Sequence, residues 1–291
     1  MAKRGEVAVA LVVRKSFRQS YERLVGHETG LRRGDDPESV HQARVATRRL
    51  RSDLRTFEPF VDGAWAADLG GDLRWIGSEL GDLRDTEVLR DRLRAHAAWL
   101  PTAEAEAARR VVRRLDADRE AARFDVLSML AQPRYAHVRD KLADAAGLPP
   151  FTDDAFAPAS KALKQVVRSR FKKVRRAVRK AGEQPTDDAL HRIRVRAKRC
   201  RYAAESCESV YGNRARRLAQ AMAEVQDVLG EHHDAVVATA WLAKTAHECS
   251  PTEAYAIGML AQIEHGCAAT ARAEFRLLWR RVDTDRVRGW L

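Results

Sequence analysis

Two stretches of this chain repeat each other at a nearly fixed distance. VHQARVATRRLRSDL (residues 40–54) aligns with LHRIRVRAKRCRYAA (190–204) at an offset of 150, matching His41 with His191, Arg44 with Arg194, Val45 with Val195, Arg49 with Arg199 and Arg51 with Arg201, and setting Arg48 against Lys198. Further on, IGSELGDLRD (76–85) aligns with VQDVLGEHHD (225–234) at an offset of 149, with Leu80/Leu229, Gly81/Gly230 and Asp85/Asp234 in register. The order is the same in both copies. A duplicated unit constrains the fold to two similar bodies, and any chemistry assigned to a motif has to make sense in both. The expected arrangement is a pseudo-twofold pair, residues 1–148 and 149–291 meeting at Gly147-Leu148-Pro149-Pro150, packed as one domain over residues 5–283.

Composition names the class of those bodies. Alanine occurs 49 times and isoleucine 4, while glycine and proline together supply 25 of the 291 residues, so helix formers dominate and breakers are scarce. The fold class expected is all-α, an internally duplicated helical bundle with two four-helix-type subdomains. Asp35-Asp36-Pro37-Glu38 and Thr186-Asp187-Asp188 each carry a helix-start pattern of polar cap and early acids. Punctuation near Pro59, Gly81, Pro101, Pro133, Gly182, Gly212, Gly230 and Ser250-Pro251 leaves stretches of helix length, so breaks are predicted at Gly81 and Gly230 as at the others. Four cysteines at 200, 207, 249 and 267 form no Cys-x-x-Cys pair, which fits a reducing cytoplasm better than a disulfide framework or zinc knuckle. The apolar run from Val7 to Val13 is cut short by Arg14 and Lys15, so neither a signal peptide nor a membrane span is expected.

The repeated helix has two unlike faces. On a helical projection His41, Arg44, Arg48, Arg51 and Arg55 share an arc of about 80°, with Ala43, Ala46, Leu50, Leu54 and Phe57 opposite. In the second copy His191, Arg194, Lys198 and Arg201 share an arc against Ile193, Ala197, Cys200, Ala204 and Cys207. A preceding helix adds Lys161, Lys164, Arg168, Lys172, Arg175 and Arg179, whose weaker first-half counterpart keeps Arg14 and Arg18. Residues 161–201 hold 16 basic and 3 acidic side chains, an excess of +13 against +12 for the whole chain. Ordinary solvated helix faces mix charges for i,i+4 pairing, whereas stacked like charges repel; a single-sign stripe on two helices therefore points to a polyanion that neutralises it. The basic residues are 43 Arg to 10 Lys, and arginine's planar fork suits bidentate contact with phosphate oxygens. The stripes carry no aromatic residue on their own face, Phe171 and Tyr202 being placed elsewhere, so a ligand made only of phosphate fits better than bases needing stacking partners. A sequence-blind nucleic-acid binder is the alternative, and docking of an acidic protein a third reading that rests on charge alone.

VHQARVATRRLRSDLRTF, LGDLRDTEVL, LHRIRVRAKRCRYAAE and VQDVLGEHHDAVVA together resemble, in order and spacing, the conserved histidine α-helical domain (CHAD) family. The resemblance implies basic helices facing a central cleft or pore, non-catalytic binding of inorganic polyphosphate and association with polyphosphate granules. It places the family's histidines at His41 and His191, and its basic positions at Arg44, Arg48, Arg49 and Arg51 and at Arg194, Lys198, Arg199 and Arg201.

Glu231-His232-His233-Asp234 invites a different reading, a divalent metal site of a phosphohydrolase. The repeat argues against it, because the matching residues are Asp82-Leu83-Arg84-Asp85 and a metal site has no use for an arginine. No metal and no cofactor are therefore expected. Asp85 and Asp234 are expected to pair with arginines or to cap a helix. No Gly-x-Ser-x-Gly and no glycine-rich phosphate loop occurs, so no enzyme is expected.

Overall fold

The structure, a computed structural model, describes residues 7–34 and 37–291. Among them lie thirteen α-helices: α1 (Val9–Gly26), α2 (Glu28–Arg33), α3 (Pro37–Thr56), α4 (Gly63–Ala97), α5 (Thr102–Val112), α6 (Arg114–Ala131), α7 (Pro133–Gly147), α8 (Ala159–Ala181), α9 (Asp187–Ser206), α10 (Glu208–Tyr211), α11 (Asn213–Ala246), α12 (Pro251–Val282) and α13 (Asp285–Arg288). The described residues contain no strand, only two isolated bridges, and the all-α expectation holds. No described helix is long and apolar enough to cross a membrane.

The order of elements follows the repeat. Helices α1, α3 and α4, of 18, 20 and 35 residues, correspond in order to α8, α9 and α11, of 23, 20 and 34. In the first bundle α3 packs between α1 and α4, with α6 against α4 and α7 against α1; in the second, α9 packs between α8 and α11, with α12 along α11. Where the two meet, Val9 N donates to Ala157 O (3.1 Å) and Ala159 N donates to Val7 O (2.9 Å). Val9 with Ala159 and Val7 with Ala157 are the pairs 150 apart, so the two bonds are reciprocal under the offset of the sequence repeat.

The amphipathic faces pack as their spacing predicts. Ala43, Ala46, Leu50 and Leu54 of α3 are buried with Phe57 just beyond it, as are Ile193, Ala197, Cys200 and Ala204 of α9 with Cys207 just beyond it, and Leu163, Val167, Phe171 and Val174 of α8. The cores are not divided between the bundles. The larger joins Phe17 and Leu73 to Leu163 and Met222; the smaller joins Leu93 of α4 and Val111 of α5 to Leu242 of α11 and Leu260 of α12.

Two helix starts show the capping chemistry in full, and two predicted breaks are absent. The Thr186 side chain accepts from Ala189 N to open α9, and Ser250 with Glu253 forms a capping box at α12. Asp35 and Asp36, proposed to open α3, lie outside the described residues, as does the chain before residue 7. The breaks predicted at Gly81 and Gly230 do not occur: α4 and α11 run straight through them. An interior glycine costs a helix only about 1 kcal/mol relative to alanine, and tertiary packing outweighs that.

Candidate anion-binding cleft

Helices α3 and α9 lie side by side, and their repeated residues face each other across the space between the bundles. The cleft there, about 180 Å³, is lined by Arg44 and Arg48 of α3, Arg194 and Lys198 of α9, and Asp85, Arg92, His233 and Asp234 of α4 and α11, with Val88, Leu89 and Val237. Most of these are paired by the repeat: Arg44 with Arg194, Arg48 with Lys198, Asp85 with Asp234.

The shared Gly and Asp positions now have a role. Arg44 donates through Nη1 to the carbonyl of Gly81 (2.6 Å) and pairs through Nη2 with Asp85 Oδ1 (2.9 Å), so one turn of α4 holds the guanidinium from two sides. A Cβ on Gly81 would stand 3.7 Å from Arg44 Nη1, and one on Gly230 would stand 3.8 Å from Arg194 Nε. Each arginine therefore lies over a glycine of the facing helix. The copies then diverge. Asp234 has no cation within 4 Å among the described residues, and the buried Arg194 Nε finds no protein acceptor.

Crowding and burial in so small a space disfavour the charge of Lys198 and Arg194. Burial, together with Arg48, Arg194 and Arg44, pushes the Lys198 ammonium down to about 7, against the pull of Asp85. Burial lowers Arg194 as well, against the pull of Asp234. The His233 ring is driven to about 4, by burial first and then by Arg194. Arg92 is differently placed: it bonds Glu264 (2.7 Å) and Glu231 (2.6 and 2.9 Å), and these carboxylates hold its charge firmly. What remains is a pocket of donors and cations with a deficit of negative charge.

The CHAD domain model matches residues 15–243. The chain belongs to the CHAD family. Over 289 residues it is 29% identical to two uncharacterized proteins of Mycobacterium tuberculosis, MT2285 and Rv2226, the alignments covering 93% of this chain and 53% of each relative. The chain thus spans about half the length of these curated relatives. The CHAD domain of the plant Ricinus communis superposes with a TM-score of 0.76 at 26% identity, covering 99% of this chain and 96% of that one. PptA from Streptomyces chartreusis gives 0.79 at 22% identity, covering 94% and 100%.

Within this CHAD fold the other sequence-predicted residues divide into separate places. His41 lies near the cleft in a neighbouring depression with Arg48, Arg49 and Arg201. There Glu205 pairs with Arg49 and with Arg201 (2.7 Å), and Arg49 also reaches the fully buried Asp53 (3.4 Å), so both arginines are internally neutralised. On the opposite flank Arg51, Arg55 and Arg199 gather with Arg170, which donates to the Arg55 carbonyl; among the described residues none of the four has a carboxylate within 4 Å, Glu58 being the acid nearby, and burial followed by the Arg55 charge lowers Arg51 and Arg199. Arg14 and Arg18 are exposed on α1, and neither lines the cleft. Lys161, Lys164, Arg168, Lys172, Arg175 and Arg179 are exposed on α8, and none of them lines it either.

Tyr202 is not away from the basic face. Its hydroxyl accepts from Arg48 Nε (2.8 Å), and the guanidinium carbons of Arg49, Arg201 and Arg48 stand 5.2, 5.6 and 6.0 Å from its ring centroid. The ring is buried, so it braces arginines and offers no stacking surface. The Glu231–Asp234 side chains diverge: Glu231 goes to Arg92, His232 to Asp187 (3.1 Å), His233 to His191 (3.3 Å between Nδ1 atoms), and Asp234 into the cleft. Sequence reasoning missed Arg92 altogether, since it lies beyond the repeated motif. His233 was visible in the alignment as the partner of Arg84, a hint that the position serves as a donor.

Proposed function

We propose that the cleft binds inorganic polyphosphate and that the protein is a binding module that associates with polyphosphate granules, without turnover. The observation that carries this reading is the crowding of Arg44, Arg48, Arg194 and Lys198 around a cleft whose only unpaired carboxylate is Asp234, with the Arg194 Nε unsatisfied by protein. Buried donors without acceptors and like charges without counterions both cost stability, and a ligand that is a chain of phosphates supplies acceptor oxygens and negative charge together. Arg44, fixed on Gly81 and Asp85, offers a preorganised guanidinium; Arg194 and Lys198, less neutralised, gain most from the ligand's charge. The cleft has no exposed aromatic ring, which suits a ligand without bases.

The test is binding of the purified protein to long-chain polyphosphate at near-physiological salt, with pyrophosphate, single-stranded RNA and duplex DNA as competitors and phosphate release followed in the same sample. Chain-length-dependent binding that nucleic acids displace poorly, without release, is the expected result. Equal displacement by RNA or DNA would make the cleft a general polyanion site, and release of phosphate would make it catalytic.

A further inference from the structure

The α8 stripe faces a groove of its own. This groove, about 730 Å³, lies between α8 and the end of α12 and shares no residue with the cleft. Arg168, Lys172, Lys173, Arg176 and Arg179 line it, and among the described residues none has a carboxylate within 4 Å. Arg175 alone is paired, to Asp283 at 2.9 Å. From residue 168 to 179 the row runs about 16 Å along the helix.

One lining residue sets this groove apart. Trp279 of α12 forms part of its wall and is half-buried. Phe171 and Phe275, each 6.4 Å away between ring centroids, hold the indole from the core side. A cationic track beside a rigid, part-exposed aromatic ring is the combination by which proteins hold single-stranded nucleic acid, the cations taking phosphates and the ring a base. A phosphate-only polymer has no use for the ring.

We infer that the α8–α12 groove binds single-stranded nucleic acid, independently of the ligand of the cleft. Both ligands then occupy the protein at once.

The test is fluorescence anisotropy with a labelled single-stranded 15-mer and an abasic 15-mer of equal charge, on the full chain. The exposed pair Lys172→Gln/Arg176→Gln tests the track without touching the core, and Trp279→Leu, with its thermal melt checked against wild type, tests the platform. We expect the abasic strand to bind about tenfold more weakly than the natural one. We also expect the charge pair and Trp279→Leu to weaken the natural strand, with Arg44→Gln/Arg194→Gln leaving it unchanged. Equal binding of the two strands overturns the inference and makes the groove a plain polyanion surface. Loss in the cleft variant but not in the charge pair also overturns it, placing nucleic acid in the cleft.

Discussion

Lys198 is the residue whose behaviour the cleft governs most directly. An ordinary lysine holds its proton up to 10.5, and here the folded protein releases it near 7. Folding therefore expels a proton between those values, so this side chain costs stability as pH falls through 10.5 and its full cost is reached below about 7. A bound polyanion reverses the shift. Polyphosphate binding at pH 8.5 should take up close to one proton, measured by calorimetry in buffers of different ionisation enthalpy, and affinity should fall as pH rises above 7. Lys198→Met should abolish the uptake; an unchanged value would assign the proton elsewhere. His41 and His191 are both held below the ordinary histidine value, by burial foremost, so at neutral pH they offer hydrogen bonds and not charge. Replacing both with alanine should weaken binding less than replacing Arg44 and Arg194; an equal or larger loss would reverse that order. The sequence exposed these residues because the repeat aligns them. The i,i+4 spacing of Arg201 and Glu205 is legible in the sequence, which could not show that Arg49 is also spent on Glu205, since those two lie on different helices.

At the scale of elements, α4 and α11 do more than pack. Each presents a glycine to the arginine of its own bundle, and in α4 the Gly81 carbonyl and Asp85 together fix Arg44. Gly81→Ala places a methyl in ordinary contact with the guanidinium and relieves glycine's entropy cost, so melting temperature should hold or rise and polyphosphate affinity should stay near wild type. Gly81→Val projects methyls into the guanidinium's place, and affinity should fall while the helix survives. Equal affinities for the two variants would show that Arg44 does not act from that seat. The glycine echo in the sequence marks a close approach and not a helix end, two outcomes that spacing alone does not distinguish. The amphipathic faces of α3, α8 and α9 were legible for the opposite reason: burial follows periodicity wherever one helix face meets a core.

Across the whole molecule the repeat predicts two bundles, and the structure joins them through common cores. Helix α5 of the first half packs on α12 of the second, and Glu264 of α12, fully buried, accepts from Arg92 (2.7 Å) and meets His96 Nδ1 (2.8 Å) of α4. Cores shared in this way couple the halves, so thermal unfolding followed by far-UV dichroism and tryptophan fluorescence should show one coincident transition. Two resolved transitions would show that the halves fold separately. The single-sign excess over residues 161–201 was legible as charge, but its division among cleft, flank and outer groove was not. Periodicity places a side chain on a face, and only the packing of α12 decides which face opens on which space. The most direct measurement is polyphosphate affinity of Arg44→Gln/Arg194→Gln/Lys198→Gln beside Lys172→Gln/Arg176→Gln at one salt concentration. With each charge-assisted contact contributing roughly 1.5–3 kcal/mol, the cleft variant should lose about a hundredfold or more and the groove variant less than about fivefold. A larger loss in the groove variant would contradict the assignment of polyphosphate to the cleft.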